Sequence, residues 1–222
     1  MNSSVILYWA AAYLIGAIPF GWIITKLVKG IDIRYHASGR MGMSNVMRTA
    51  GTGWGLLTAV LDIAKGYAAI KIASVMVSDC PAWVPAVGGV LSVFGHIRSI
   101  FLIERRRDGK YYLRGGAGGL TSVGAGLAIW PMGYLLWAGI PCLILYLFLG
   151  YASVATAAIN LFSAIAFSVA AAQGKLSWWY VGFCVVSFIL VAISLRPNFK
   201  RLRRGDERKT SLRIRWRKED RK

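Results

Sequence analysis

The stretch from Gly115 to Gly174 contains no Asp, Glu, Lys or Arg, and two further uncharged stretches cover Asn2–Thr25 and Leu176–Leu195. A helix needs about 20 apolar residues to cross the hydrocarbon core of a bilayer, so each stretch is long enough to do so. The chain is also 56% hydrophobic, with a mean hydropathy of +0.53. These features exclude an ordinary soluble domain and predict an all-α, polytopic membrane protein.

The length of the longest uncharged stretch decides how many helices it holds. As one helix it would be about 90 Å long, and as two about 45 Å each, against a core of about 30 Å. Three helices fit, with breaks near Trp130–Gly133 and near Gly150. The predicted spans are therefore Val5–Ile24, Trp54–Val77, Ala82–Ile103, three helices within Gly115–Gly174, and Ser177–Leu195.

The basic residues support this count of seven and predict an orientation. The net charge is +18, and the 27 Lys and Arg fall mainly in Lys26–Arg48, Arg98–Arg114 and the tail after Leu195. Basic segments beside spans are typical of cytoplasmic flanks that contact anionic lipids. Seven spans place all three segments on one face, so we predict the N-terminus outside and the C-terminus in the cytoplasm. The expected organisation is a membrane domain, residues 1–195, and a basic cytoplasmic tail, residues 196–222.

Other classes of partner and cofactor are not indicated. The basic charge lies beside spans and no nucleic-acid recognition module accompanies it, so we predict no nucleic-acid partner. Cys80, Cys142 and Cys184 are scattered and odd in number, which predicts neither a disulfide framework nor a metal site. No basic region precedes the first apolar stretch, so it is expected to be an uncleaved span. No obligate protein partner is evident.

The segment from His36 to Gly51 concentrates hydrogen-bond donors between two spans. Glycines let backbone N–H groups turn toward one point, and hydroxyl, amide and guanidinium groups add further donors. Such a cluster suits a phosphate. The alternative is an ordinary cytoplasmic loop whose arginines only fix membrane orientation. The residues concerned are Ser38, Gly39, Arg40, Gly42, Ser44, Asn45 and Arg48.

Two other features have both a functional and a structural interpretation. The glycine-rich segment Arg114–Thr121 can form an anion-binding nest at a helix start, or it can let helices pack closely. Asp62 and Lys65 are three residues apart and so share a helix face. They can form a functional site within a span, or they can be a purely structural ion pair. His96, near the end of a span, is more often structural than a proton shuttle.

These segments occur in the same order as the motifs of a known family, the bacterial acyl-phosphate:glycerol-3-phosphate acyltransferases, and the whole set resembles that family. The matching residues are Gly16–Gly21, Lys29–Arg34, Ser38-Gly39, Gly42, Ser44–Val46, Arg48, Gly51, Leu61-Asp62, Lys65-Gly66, Gly95–Ile97, Gly115-Gly116, Gly118, Thr121, Gly150-Tyr151, Ser153, Arg196, Asn198, Arg201-Leu202, Gly205, Glu207 and Lys209.

The resemblance implies a seven-helix enzyme of the bacterial cytoplasmic (inner) membrane, with acyl phosphate and glycerol 3-phosphate as substrates and no cofactor. A fatty acyl group would pass from acyl phosphate to the first hydroxyl of glycerol 3-phosphate, giving lysophosphatidate and phosphate in phospholipid biosynthesis. No Ser-His-Asp set is present, so the hydroxyl is expected to lose its proton to a substrate phosphate.

The resemblance also implies roles for individual residues. Ser38, Arg48 and Ser153 would bind a substrate phosphate, and Arg114 would neutralise the leaving phosphate. The remaining predicted contacts are backbone donors from Gly39, Gly42, Gly115, Gly116 and Gly118, side-chain contacts from Arg40, Ser44, Asn45 and Thr121, and closure of the site by Asn198.

Four departures from the family pattern stand out. Arg40 replaces an Asn, Ala117 replaces a Lys between the glycine pairs, and Leu195 replaces a His, while the polar segment Glu104–Leu113 is additional. We expect Arg40 or one of the arginines at 105–107 to supply the missing cation. The alternative is a non-catalytic or substrate-altered paralogue that binds phosphorylated lipid precursors. A small transporter is less favoured, because the polar residues gather at one face rather than at the midplane.

Overall fold

The structure, a computed structural model, describes residues 3–105 and 109–209 and is almost entirely helical. Short 3-10 turns cover Ile33–Tyr35 and Ile100–Leu102, and Leu135–Gly139 forms a π-helical turn. The α-helices are α1 (Ser3–Ala17), α2 (Phe20–Lys29), α3 (Met43–Ala50), α4 (Thr52–Lys71), α5 (Ala73–Met76), α6 (Trp83–Ile97), α7 (Gly119–Ile129), α8 (Pro131–Tyr134), α9 (Ile140–Leu149), α10 (Ala152–Ala172) and α11 (Trp178–Arg203).

Five helical stretches in the described chain are long and apolar enough to cross a membrane. They are Ser3–Lys29, Trp83–Leu102, Pro131–Leu149, Ala152–Ala172 and Trp178–Arg203. Two more helices occupy predicted spans without meeting both criteria. Helix α4 has 20 residues but carries Asp62, Lys65 and Lys71, while the apolar α7 has only 11 residues.

The helix breaks follow from proline and glycine. The span predicted at Val5–Ile24 lies within the apolar helical stretch Ser3–Lys29, which is interrupted where Pro19, lacking an N–H group, separates α1 from α2. The two breaks predicted in the long uncharged stretch are confirmed. Helix α7 ends at Ile129, just before Pro131, and α9 ends at Leu149, just before Gly150, whose φ of +73° is left-handed.

The polar segment predicted as a turn forms a small antiparallel hairpin, a local exception to the all-α prediction. Strand β1 (Ile103–Arg105) pairs with β2 (Tyr111–Leu113), with Ile103 opposite Leu113. Gly109, with φ +79°, lies in the connection between the two strands, where a left-handed backbone favours glycine. Arg105 lies in β1, whereas the other two candidate arginines, at 106 and 107, lie outside the described residues.

Two other predicted boundaries differ in detail. The donor-rich segment is partly helical, because α3 contains Ser44, Asn45 and Arg48. Helix α11 passes through the predicted domain boundary after residue 195 and ends at Arg203. The division into two domains stays a prediction, and residues 210–222 of the tail lie outside the described part.

Glycines allow the backbones of α4 and α7 to touch. A Cβ on Gly66 would lie 2.0 Å from the carbonyl oxygen of Thr121, and one on Gly124 would lie 1.9 Å from that of Ile63. Thr121 is fully buried at this contact. Small residues at such positions bring membrane helices within van der Waals distance. The close approach fixes the start of α7 relative to α4.

This contact predicts that Gly124→Ala destabilises the protein. The added methyl group would overlap a backbone oxygen, and such overpacking typically costs about 1–3 kcal/mol. The expected result is a Tm in detergent lower by several degrees, at about 2–4 °C per kcal/mol. Gly182→Ala is the matched control, because Gly182 is exposed on α11 with no heavy atom within 4 Å of the added position. Equal Tm values for the two variants would contradict this account of the packing.

Candidate functional site

A cavity of about 440 Å³ lies where the loop between α2 and α3 (residues 30–42, the first loop) and the glycine-rich segment Arg114–Thr121 (the glycine turn) meet α3, α9, α10 and the end of α11. Its lining contains both polar and apolar residues. The polar lining includes Ser38, Arg40, Gly42, Ser44, Asn45, Arg48, Asp62, His96, Gly118, Ser153, Thr156, Asn198, Arg201, Glu207 and Arg208. The apolar lining includes Ala117, Val123, Cys142, Leu143, Tyr146, Ala155, Ile159 and Leu195.

Asn45 organises the first loop. Its Oδ1 accepts a hydrogen bond from the backbone N–H of Ser38 at 3.2 Å, and its Nδ2 donates to the carbonyl oxygens of His36 and Arg40 at 3.1 and 2.8 Å. The side chain is 2% exposed. Both amide hydrogens are thus engaged with the loop backbone, so Asn45 shapes the donor cluster that was predicted from the sequence.

The charged residues that dominate the electrostatics of the cavity are four arginines and one glutamate: Arg40, Arg48, Arg201, Arg208 and Glu207. Burial lowers the pKa of Arg40, as does the charge of Arg201, while Glu207 partly offsets both. Desolvation by surrounding atoms and the charge of Arg208 lower the pKa of Arg48, and Glu207 again opposes the shift. All four arginines line the same cavity. Its polar lining therefore has an excess of positive charge that favours an anion.

Glu207 joins the segment after α11 to the start of α10. Its Oε1 accepts hydrogen bonds from Ser153 Oγ at 3.1 Å and from Asn198 Nδ2 at 2.8 Å, and its Oε2 accepts from Arg201 Nε at 3.0 Å. Burial alone would raise the pKa of Glu207, but these hydrogen bonds outweigh it and hold the pKa below its usual range. The carboxylate is therefore ionised at neutral pH.

The glycines of the glycine turn have two different positions: some pack against α6, and one lines the cavity. Gly115 and Gly116 pack on the end of α6, where a Cβ on Gly116 would lie 2.0 Å from His96 Nε2, and the Gly116 N–H donates to the His96 carbonyl at 2.9 Å. Gly118, with φ +92°, precedes α7 and lines the cavity. The first N–H groups of a helix lack partners within it and attract anions. Gly115 and Gly116 therefore fit the close-packing alternative, and anion binding at the start of α7 stays a prediction.

Asp62, Lys65 and His96 form a buried polar cluster beside the cavity. Lys65 Nζ lies 2.9 Å from Asp62 Oδ1 and donates to the Ile18 carbonyl at 2.9 Å, while His96 Nδ1 is 3.5 Å from Asp62 Oδ1. The carbonyl of Ile18 is available because Pro19 interrupts the first span. The shared helix face predicted for Asp62 and Lys65 is confirmed, and Asp62 and His96 line the cavity.

Several predicted site residues lie outside the cavity lining. Arg114 donates from Nε to Glu104 and from Nη1 to the carbonyl of Arg34 at 3.3 Å, which ties β2 to the first loop. Its guanidinium also lies 6.0 Å from the ring centre of Tyr35. The other predicted residues outside the lining are Gly39, Lys65, Gly115, Gly116 and Thr121.

Other cavity residues were given no role from the sequence. Arg201 and Glu207 belong to the tail motif that resembles the family, and that motif was the available signal for them. Arg208, next to Glu207, had no such signal. The apolar lining from α9 and α10 also lacked one, because Leu143 and Ile159 look like any other lipid-facing or core residue in an uncharged stretch.

The sequence matches a family model described as Glycerol-3-phosphate acyltransferase over residues 6–205. The chain belongs to the glycerol-3-phosphate acyltransferase family. A relative from Desulforudis audaxviator, named Glycerol-3-phosphate acyltransferase, is 33% identical over 95% of this chain and 98% of its own length. One from Geobacter sulfurreducens, with the same name, is 34% identical over 89% of this chain and 93% of its own.

Solved structures give the same family. The chain is similar to the crystal structure of PlsY (YgiH), an integral membrane glycerol 3-phosphate acyltransferase, in its glycerol 3-phosphate form, with a TM-score of 0.79. The identity is 30%, and the match covers 93% of this chain and 96% of that one. The lysophosphatidic acid form gives a TM-score of 0.76. As a member of the glycerol-3-phosphate acyltransferase family, the protein is a multi-pass membrane acyltransferase.

Proposed function

We propose that this protein transfers a fatty acyl group from acyl phosphate to glycerol 3-phosphate, giving lysophosphatidate and inorganic phosphate. The observation that carries the proposal is the two-part lining of one cavity. Its cationic residues suit the phosphates of both substrates, and its apolar residues from α9 and α10 suit an acyl chain. Family membership supports the same reaction.

Binding of the phosphates is assigned to the polar donors of the cavity. Ser38, Arg48 and Ser153 line it, and the N-terminus of α7 adds backbone N–H groups. Gly42 and Ser44 also line the cavity, where they would contact the glycerol phosphate. Asn198 reaches the cavity from α11 and would help to close it.

In the proposed reaction, the acceptor hydroxyl oxygen attacks the acyl carbonyl carbon, and the bond between that carbon and the phosphate oxygen breaks. The phosphate leaves with the electron pair, and the hydroxyl proton passes to a phosphate oxygen. Cationic donors at the site stabilise the charge that develops on the leaving group. We assign this role to Arg40 and Arg48, which line the cavity, and assign Arg114 to positioning the first loop.

Asp62, Lys65 and His96 are assigned a positioning role. Both ionic groups are almost completely buried, and the His96 carbonyl holds the glycine turn through Gly116. A buried charge that loses its partner is strongly destabilising. The cluster therefore connects α4 and α6 to the turn that lines the cavity, without supplying a proton in the reaction.

A second candidate is a paralogue that binds phosphorylated lipid precursors without turnover. Ala117 favours it, because this residue lines the cavity where the family resemblance implies a lysine. A turnover assay with purified protein decides between the two. It uses acyl phosphate with glycerol 3-phosphate, and compares acyl-CoA as donor and other phosphorylated polyols as acceptors. Lysophosphatidate formation supports the proposed reaction, and binding without product supports the paralogue.

We further propose seven spans in the bacterial cytoplasmic membrane, with the N-terminus outside and the C-terminus inside. The five long apolar helical stretches, together with α4 and α7, make up this count. Reporter fusions or cysteine accessibility at residues 2 and 222 test the orientation. The expected result is labelling of the two ends from opposite sides. Labelling of both ends from one side contradicts the seven-span topology.

Arg48→Ala is expected to raise the KM for glycerol 3-phosphate or to lower kcat. A charge-assisted hydrogen bond is worth about 1.5–3 kcal/mol, which corresponds to a change of roughly 10- to 150-fold in kcat/KM. Arg204→Ala is the control, because Arg204 is also an exposed arginine but does not line the cavity. Unchanged kinetics in a normally expressed Arg48→Ala protein would remove Arg48 from the site.

Substitutions at Ala117 and Arg40 test whether Arg40 supplies the positive charge that the family pattern places on a lysine at position 117. Arg40 donates to the carbonyl of Ser194, and Ser194 Oγ donates to the carbonyl of Gly116 at 3.4 Å, so Arg40 lies beside the glycine turn. A lysine at 117 would bring a second cation near Arg40, and like charges at close range repel by several kcal/mol at low dielectric.

We therefore expect Ala117→Lys to lower activity and the double variant with Arg40→Asn to recover it. The measurement is a double-mutant cycle of lysophosphatidate formation. Strictly additive effects would exclude Arg40 as the replacement cation. Absence of turnover in all four proteins would favour the non-catalytic paralogue or a different acceptor.

A further inference from the structure

The carboxylate of Glu207 occupies a donor, the Ser153 hydroxyl, that the proposed function assigns to a substrate phosphate. It accepts from Ser153 Oγ at 3.1 Å, from Asn198 Nδ2 at 2.8 Å and from Arg201 Nε at 3.0 Å. The Ser153 side chain is 4% exposed, so it has little access to water in this arrangement. An internal anion thus lies in a site whose lining favours an external one.

Ser153 cannot serve both anions at once. A serine hydroxyl has a single hydrogen to donate, and here it is directed at Glu207 Oε1. A phosphate oxygen bound by the same hydroxyl would have to replace the carboxylate oxygen. The two acceptors are therefore mutually exclusive at Ser153.

We propose that Glu207 closes the empty site as an internal competitor of the substrate, and that a bound phosphate monoester displaces it from Ser153. The proposal rests on the proposed function. It makes Glu207 a residue that sets the affinity for the phosphorylated acceptor, although it does not touch the reacting atoms.

The position of Glu207 permits this exchange. Helix α11 ends at Arg203, and Gly205, with φ +79°, separates it from Glu207, so the carboxylate can leave without unwinding the helix. Further along this segment, Lys209 Nζ lies 5.6 Å from the ring centre of Tyr151, close in sequence to Ser153. Such short connections after a helix end are where local opening is least costly.

The surrounding charges favour the exchange once a phosphate arrives. Arg40, Arg48 and Arg208 are close enough to influence one another or Glu207 electrostatically. A phosphate monoester carries about 1.5–2 negative charges at neutral pH, more than one carboxylate. The phosphate therefore gains more from these cations than Glu207 does, and Glu207 returns when the site empties.

The test measures binding of glycerol 3-phosphate by calorimetry to the full-length wild type and to Glu207→Gln, Glu207→Ala and Asp206→Asn. Removing the competitor is expected to lower the Kd about tenfold, which corresponds to about 1.4 kcal/mol. Asp206→Asn is the matched control, because it removes the same charge from an exposed side chain one residue away. The KM for glycerol 3-phosphate should fall in both Glu207 variants without an increase in kcat.

An unchanged or higher Kd in the Glu207 variants would overturn the proposal, since it would mean that Glu207 merely supports the site. A second measurement does not depend on those variants folding. Spin labels on Thr52→Cys and Lys209→Cys, both exposed positions, report the distance between the start of α4 and the tail segment. Glycerol 3-phosphate should shift that distance in a protein with wild-type Glu207, and an unchanged distance at saturating ligand contradicts the displacement.

The outcomes separate this proposal from the proposed function. Turnover of acyl phosphate and glycerol 3-phosphate by the wild type, together with no gain in affinity in the Glu207 variants, overturns the competitor role alone. Binding by the Glu207 variants but not by the wild type supports the competitor role even without turnover. Binding by none of the proteins overturns both.

Discussion

The bundle depends on one constraint: every polar group inside it needs a partner, because neither lipid nor an apolar core can supply one. Pro19 breaks the first span and exposes the Ile18 carbonyl, Lys65 reaches that carbonyl, and Asp62 neutralises Lys65. His96 lies beside Asp62 and holds the glycine turn through its own carbonyl. This chain of contacts connects three helical segments to the cavity wall, so the position of the site follows from satisfying a few buried groups.

The same constraint separates two kinds of polar residue around the cavity. Asn45 and Arg114 direct their donors at backbone carbonyls and fix the loops to one another. Arg48 and Ser153 lie on the cavity wall, where a ligand can reach them once Glu207 has moved from the serine. Asn45 and Arg114 thus hold the loops in place, while other donors are left to bind a ligand. Because the loops are fixed, the cationic groups stay together despite their mutual repulsion.

Sequence reasoning predicted the helical segments well because their signals are local. The absence of charge over Gly115–Gly174, the proline at 131 and the glycine at 150 each act within a few residues of where they stand. The motif order was equally informative about the family. The hairpin at β1 and β2 was not foreseen, because three-residue strands have too little periodicity to distinguish them from a polar turn.

The sequence by itself determined the membrane class, the breaks between helices, the family and the collection of donors in the first loop. Tertiary structure alone decided which of those donors face the cavity. Arg114 and Arg40 are both arginines in polar segments, yet one pairs with Glu104 and the other lines the cavity. The difference arises from contacts between residues far apart in the chain, such as the hydrogen bond from Ser153 to Glu207. A local sequence pattern does not indicate which distant group accepts a hydrogen bond from a given donor.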